Sequence, residues 1–273
     1  MRPGEAPVSL SVRQRRKPLA VTNAEAIHGR TLRRDPWWIE TLPTWILLGG
    51  FVIYATWAAF QNREYFVDPY LSPLYSPCLA ANCEEPTIRL FGSWFSLSPA
   101  LLILWAPGGF RATCYYYRKS YYRAFFRSPP ACGVADAAKC YTGETRFPLV
   151  LQNLHRYFFW AVWPVLFFLW VDAVKAFSFE EGFGVGLGTL VLVANATLLT
   201  AYSLSCHSCR HLAGGHLDVL SARPAKLKAW RFVTRLNERH GLIAWISLVM
   251  VAGTDVYVRL LANGVFSDPR ITF

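Results

Sequence analysis

The sequence predicts an all-α membrane protein, a bundle of five transmembrane helices with a cytoplasmic N-terminus and an outer C-terminus. Three observations carry that expectation. The 273 residues are 53% hydrophobic and 16% aromatic but only 16% charged, which is too apolar for an average soluble domain. Five apolar runs each have about 17 to 22 residues, the length a helix needs to cross a hydrocarbon core with its backbone hydrogen bonds closed internally. Basic residues keep to alternate segments: of the 28 Lys and Arg, positions 1–36 hold 8, positions 111–156 hold 8 and positions 210–239 hold 7. Between them lie only Arg63, Arg89, Lys175, Arg259 and Arg270. The positive-inside bias therefore places the arm and the two basic loops in the cytoplasm. The same distribution reads the net charge of +11 as topology, since nucleic-acid binding would need a basic face on a soluble domain.

Three regions follow. Residues 1–36 form a cytoplasmic basic arm, residues 37–264 the membrane anchor and residues 265–273 an outer tail. The arm is polar and basic, expected to be flexible near anionic headgroups or a partner protein, with His28 in solvent. It does not read as a secretory signal, because more than forty polar and basic residues precede the first apolar run. Trp37 and Trp38 mark the interface, and 43–60 form the first span, with Gly49 and Gly50 as an expected close-packing point. A polar loop with Cys78 and Cys83 leads to the second span, 94–110, which Pro107 kinks near its inner end. A tyrosine-rich basic helix is expected to continue it to Arg123. The loop 127–146 holds Cys132 and Cys140, expected to be ordinary thiols. Pro148 opens the third span, 149–170, and the fourth covers 185–205. A basic linker containing an amphipathic helix over 226–237 precedes the fifth span, 240–262.

This threading brings four soft ligands to one depth. Cys114 ends the second span, His155 begins the third, Cys206 ends the fourth and His240 begins the fifth, all on the cytoplasmic side. Two thiolates and two imidazoles at one level of a bundle suit a tetrahedral zinc, or a Rieske-type 2Fe-2S cluster whose raised potential would serve electron delivery to a quinone. Alternatives stay open within the Cys206–Cys209 segment. Cys209 lies one turn from Cys206 and could replace it, and the C-x-x-C could equally be a pair of buried thiols. His207 and His211, four residues apart, share another face and could meet a quinone or a haem propionate, or stand in solvent. His155 and His240 could also clamp a haem b.

Cys78 and Cys83 fall in an outer loop and are expected to pair as a disulfide. Aromatic residues crowd the inner surface as interface anchors, and among them Tyr117, Arg118, Arg156 and Tyr157 could wall a quinone and bond its carbonyls. Asp255 and Arg259, four residues apart in the last span, read as an outer ion pair or as a proton relay.

Four strings give the chain a likeness: Cys114-Tyr-Tyr-Tyr-Arg-Lys-Ser-Tyr-Tyr-Arg123, Leu151-Gln-Asn-Leu-His-Arg-Tyr157, Cys206-His-Ser-Cys-Arg-His-Leu-Ala-Gly-Gly215, and Arg239-His240 followed by Thr254-Asp-Val-Tyr-Val-Arg259. They resemble the cytochrome b-like membrane anchor, or C subunit, of actinobacterial succinate dehydrogenases and fumarate reductases, over roughly positions 36–264. The resemblance implies a multi-pass anchor in the plasma membrane, holding a flavoprotein subunit and an iron-sulfur subunit on its cytoplasmic face. Electrons from succinate would pass through this chain to menaquinone or ubiquinone. Anchors of this kind are either haem-bearing or carry a Rieske-like 2Fe-2S cluster. Cys114 and Cys206 fit the second type, and the usual haem pattern is met only in part. The chain itself has no dinucleotide fingerprint and no soluble domain for flavin, so the succinate site belongs on a partner, docked on the arm and on the loops 119–146 and 216–239. A haem b anchor is the rival within this class. A cofactor-free structural anchor or small transporter is the rival outside it.

Overall fold

The computed structural model describes residues 31–78, 88–90, 95–136, 145–147, 149–215 and 217–273. The basic arm up to residue 30, Cys83, Cys140 and Pro148 lie outside the described residues. Among the described residues four helices are long and apolar enough to cross a membrane: α1 (Trp37–Gln61), α5 (Leu149–Lys175), α6 (Leu187–Leu204) and α9 (His240–Ala262). Their outward side chains are what lipid requires, with Ile53, Phe167 and Val249 all exposed. The inward faces close a core in which α9 packs on α6 and α6 on α5, with Phe159, Leu166, Leu192 and Leu248 buried.

The second predicted span is shorter than its apolar run. Phe95–Leu97 pairs antiparallel with Ile88–Leu90 as a two-stranded ribbon, and helix begins only at Pro99. It runs as α2 (Pro99–Ile103) and α3 (Trp105–Ala112), broken at Leu104. Pro107 explains the break, because its missing N–H would have bonded the Ile103 carbonyl four residues back. The discontinuity therefore falls a turn before the proline. At about 1.5 Å per residue the two pieces span about 20 Å, short of a hydrocarbon core of about 30 Å. α3 packs against α5.

The expected unbroken extension beyond Arg111 is also interrupted. Cys114 adopts extended backbone (φ −66°, ψ 132°) and caps a separate helix α4 (Tyr115–Tyr121). The same thing happens after α6: Cys206 (φ −68°, ψ 149°) caps α7 (His207–Gly214). The amphipathic linker helix is α8 (Pro224–Glu238), opened by a proline where a helix tolerates one, and it packs on α7.

Gly49 and Gly50 do not form a close helix contact. A Cβ at Gly49 would stand 3.7 Å from the Phe125 ring and one at Gly50 would meet nothing within 4 Å. The tight approach is instead at Gly109, where the Phe158 ring of α5 fills the space of a Cβ.

The end of the bundle that holds the C-terminus is tied by polar groups. Asp255 accepts from Arg259 Nε at 2.8 Å and from the hydroxyls of Tyr54 and Ser72, while Arg259 also donates to the carbonyls of Arg63 (3.0 Å) and Ala58 (3.2 Å). The pair is buried and fully bonded, as a charge in an apolar interior must be. The 265–273 tail is not loose: Arg270–Thr272 pairs with Gly182–Gly186, which also pairs with Ser178–Phe179. Asp268 anchors it, accepting from Tyr70 Oη at 2.6 Å, from Gly188 N at 2.9 Å and from the Tyr257 hydroxyl. Cys78 is in a disulfide. At the opposite end, residues 31–36 dock on the loop around Gly133 through Thr31 Oγ1 to the Gly133 carbonyl (2.7 Å) and Arg33 to the Cys132 carbonyl (3.0 Å). Cys132 itself is an exposed free thiol.

Candidate functional site

The two helix breaks and the two helix starts build one pocket. Cys114 and Cys206 sit where α3 and α6 give way to the surface helices, and His155 and His240 open the α-helical part of α5 and the whole of α9. All four line a cavity of 190 Å³. Cys206 Sγ is 3.0 Å from His155 Nε2, and Cys114 Sγ is 3.4 Å from His240 Nε2. The four side chains thus stand as two Cys–His pairs. Among the described residues no three His, Cys, Asp or Glu side chains gather round one point as ligands of a single metal ion.

The hydrogen bonds fix which nitrogen each imidazole offers. Thr113 Oγ1 lies 2.9 Å from His155 Nδ1, and its own hydrogen goes to the Gly109 carbonyl at 2.7 Å. The hydroxyl can only accept from the ring, so His155 carries its proton on Nδ1 and turns the Nε2 lone pair to Cys206. Ser205 repeats the pattern: its Oγ bonds the Tyr202 carbonyl at 2.8 Å and lies 2.7 Å from His240 Nδ1. Asn237 of α8 clamps this break by donating to the Ser205 carbonyl at 2.7 Å. Outer partners of this kind are what orients metal-binding histidines. Each ring is also held flat, His155 against Phe110 (centroids 4.9 Å apart, planes 8°) and His240 against Tyr202 (5.1 Å, 12°).

A repeat emerges that the ligand spacing alone did not reveal. Phe110-Arg-Ala-Thr113-Cys114 and Tyr202-Ser-Leu-Ser205-Cys206 share the order aromatic, two residues, hydroxyl, cysteine. In each, the aromatic and the hydroxyl cradle one histidine while the cysteine reaches across to the other. Burial pushes the Cys206 thiol up to about 11, with the Ser208 backbone N–H at 3.4 Å pulling the other way. As a thiol it donates to His155 Nε2. Ligation would release that proton.

The alternates fall elsewhere. Cys209 is buried among apolar side chains, which raises its thiol, and it does not line the cavity. His207 is exposed at the cavity rim, and His211 is exposed one turn further along α7. The quinone set is divided. Tyr117 is buried, donates to the Ala244 carbonyl at 2.5 Å, and lines a second cavity of 610 Å³ between α1, α3, α4 and α9. Arg118 lines the Cys–His cavity instead, and Arg156 and Tyr157 are exposed on the outside of α5. The larger cavity's second polar wall is Arg111, missed in the sequence because it sat among the charges that set topology. Its guanidinium bonds the Tyr117 hydroxyl, Ser247 Oγ (3.2 Å) and the Ala244 carbonyl (3.3 Å), and lies 4.7 Å from the Tyr202 ring centre.

Residues 39–264 match the family described as actinobacterial succinate dehydrogenase subunit SdhC. The chain belongs to that family. It is therefore a membrane-anchor subunit of a succinate dehydrogenase, a multi-pass membrane protein and not the catalytic chain of its enzyme. A solved structure agrees: the Mycobacterium smegmatis Sdh1 complex in the apo form holds a chain 45% identical to this one, superposing with a TM-score of 0.82 over 94% of this chain and 98% of that one. No curated protein matches.

Proposed function

We propose that this anchor carries a Rieske-type 2Fe-2S cluster on Cys114, His155, Cys206 and His240, and passes electrons from the iron-sulfur subunit to quinone. The observation that carries the reading is the pairing: two thiols, each facing the free lone pair of an imidazole whose other nitrogen is already bonded. A single zinc needs its donors round one point, whereas a Rieske-type centre takes two thiolates on one iron and two imidazoles on the other, the same two-plus-two donor set that lines this cavity. Bound there, the cluster would supply a one-electron carrier of raised potential. The chain's own part is to orient the imidazoles, with Phe110 and Tyr202 stacked on them and Tyr116 edge-on to His240. A haem b is the second reading, and it fits less well. Both Nε2 atoms already face sulfur, and 190 Å³ is below the roughly 300 Å³ at which small-molecule pockets begin, far too little for a macrocycle.

Quinone is assigned to the larger cavity, where Tyr117 and Arg111 are polar groups on apolar walls. Val52 and Ile53, at 55% and 74% exposure, leave it open to the bilayer. The α2–α3 pair is counted as a fifth, shortened crossing, which puts the N-terminus and the cluster inside and the C-terminus outside. The flavoprotein and iron-sulfur subunits dock on the inner face, over the arm at 1–36 and the loops 119–146 and 216–239, while the core at 37–264 is the anchor and 265–273 its outer tail.

Iron and acid-labile sulfide in the intact complex, compared with the content of its iron-sulfur subunit, test this directly. One additional cluster per anchor, with a paramagnetic signal of low average g, is the expected result. Sharp Soret and α bands would give the haem reading instead. A His155→Ala, His240→Ala complex that assembles and still reduces quinone would leave only a cofactor-free anchor.

A further inference from the structure

Gly108 and Gly109 stand side by side in α3 under different constraints. At Gly109 the Phe158 ring of α5 already fills the place of a Cβ, whereas a Cβ at Gly108 would meet nothing within 4 Å. The backbone does not call for glycine at 108 either, since its φ is not positive. Glycine is a poor helix residue, so what matters is the space it leaves and where that space lies. It lies at the join of two cavities. Phe51, Gly108 and Arg111 line both the 610 Å³ cavity already described and a cavity of 140 Å³ that continues it into the bundle, toward Leu74, Leu169 and Leu199. Gly108 and Arg111, three residues apart, share one face of α3. An occupant lying over Gly108 is therefore within reach of a guanidinium that bonds, among the described residues, only uncharged groups. Two π-helical turns also build the larger cavity: Trp45–Gly49 supplies Leu48 and Gly49, and Tyr122–Phe126 supplies Phe125 and Phe126. Such turns collect at functional sites.

We propose that Gly108 is the residue that admits the quinone ring. The ring lies on the bare backbone of α3 beside Arg111 and reaches into the smaller cavity, while its isoprenoid tail stays in the larger one and leaves to the bilayer past Val52 and Ile53. This rests on the assignment of quinone to the larger cavity. At 140 Å³ the smaller cavity is below the roughly 300 Å³ of small-molecule pockets and takes no prenylated ring alone. Joined to the larger one across Gly108, it gives the ring a backbone floor and apolar walls of Leu104, Val165 and Val251. A side chain at 108 would project into this join and not into a neighbouring helix, so it would take the ring's place without disturbing the packing.

Gly108→Ala and Gly108→Leu in the whole purified complex grade the obstruction. Two rates are compared, succinate oxidation by a soluble dye and by quinone over a range of concentrations. The expected outcome is a KM for quinone raised about tenfold or more in Gly108→Leu, the usual effect of one misfitting apolar group in a pocket, with Gly108→Ala between and dye-linked oxidation unchanged. Gly50→Leu on α1 is the control, because a Cβ there also meets nothing within 4 Å, yet Gly50 lines neither cavity. An unchanged KM in Gly108→Leu overturns the role, and so does an equal rise in Gly50→Leu. Should the leucine variant fail to assemble, Gly108→Ala decides: a raised KM supports the role and an unchanged one overturns it. A photoreactive azidoquinone keeps this apart from the parent reading. Crosslinks outside both cavities in the unmodified complex remove the parent reading, whereas crosslinks to the larger cavity that persist undiminished in Gly108→Leu remove the role of Gly108 alone.

Discussion

Thr113 and Ser205 decide which face each histidine shows to its cysteine. A hydroxyl that spends its hydrogen on a helix carbonyl can only accept from the imidazole, and that choice locks both rings with Nε2 free. Thr113→Val keeps the shape and removes the acceptor; Ser205→Ala does the same for His240. Either change should leave the chain folded and weaken retention of the centre by about 10- to 100-fold, the usual cost of losing an outer partner. Iron retained against increasing chelator, followed by the paramagnetic signal, measures it, and retention equal to the unmodified complex would show the hydroxyls to be idle. The meeting of Cys114, His155, Cys206 and His240 at one cavity was legible because position along an apolar run encodes depth, which brings a cysteine ending one span near a histidine starting the next. The hydroxyls and ring platforms were not. Their repeat is visible in the order Phe110, Thr113, Cys114 and Tyr202, Ser205, Cys206, but its meaning depends on a crossed pairing that only the packing of α3, α5, α6 and α9 creates.

Element by element, length and apolarity foretold α1, α5, α6 and α9, because a chain in lipid has no other way to close its hydrogen bonds. The second span misled for a local reason. Its apolar residues before Pro99 are spent on a strand ribbon, and Pro107 divides what remains. The broken helix is nonetheless pinned to the site. Gly109 lets the Phe158 ring of α5 lie directly on its backbone, and the same residue's carbonyl takes the Thr113 hydrogen that sets His155. A Gly109→Ala methyl would overlap the Phe158 ring and force it to shift, an overpacking cost of about 1–3 kcal/mol. The displacement would fall on the Thr113 to His155 contact. Lower thermal stability together with reduced cluster content is therefore expected. Gly50→Ala on α1, where a methyl meets nothing, should instead be neutral or stabilising by up to about 1 kcal/mol through helix propensity. Equal losses from both substitutions would mean that the α3–α5 contact has no special link to the site.

Across the whole molecule, the two ends are built for different surroundings. Cys114, His155, Cys206 and His240 lie at the end that carries the basic segments. The opposite end holds two of its carboxylates in closed knots, Asp255 with Arg259, Tyr54 and Ser72, and Asp268 with Tyr70 and Tyr257. Such knots satisfy carboxylates without an aqueous neighbour, and the second also fastens the C-terminal strand, leaving Phe273 exposed beyond it. If basic residues are retained inside, electrons arrive at the inner end and travel only a short way to the cavity walled by Tyr117 and Arg111, so no carrier need cross the bilayer. A protease-cleavable tag placed after Phe273 should then be cut in intact spheroplasts, and a tag before Met1 only after permeabilisation. The reverse pattern would put the cysteine-histidine pocket on the outer surface, away from any cytoplasmic source of electrons. It would remove the electron-transfer role along with the topology.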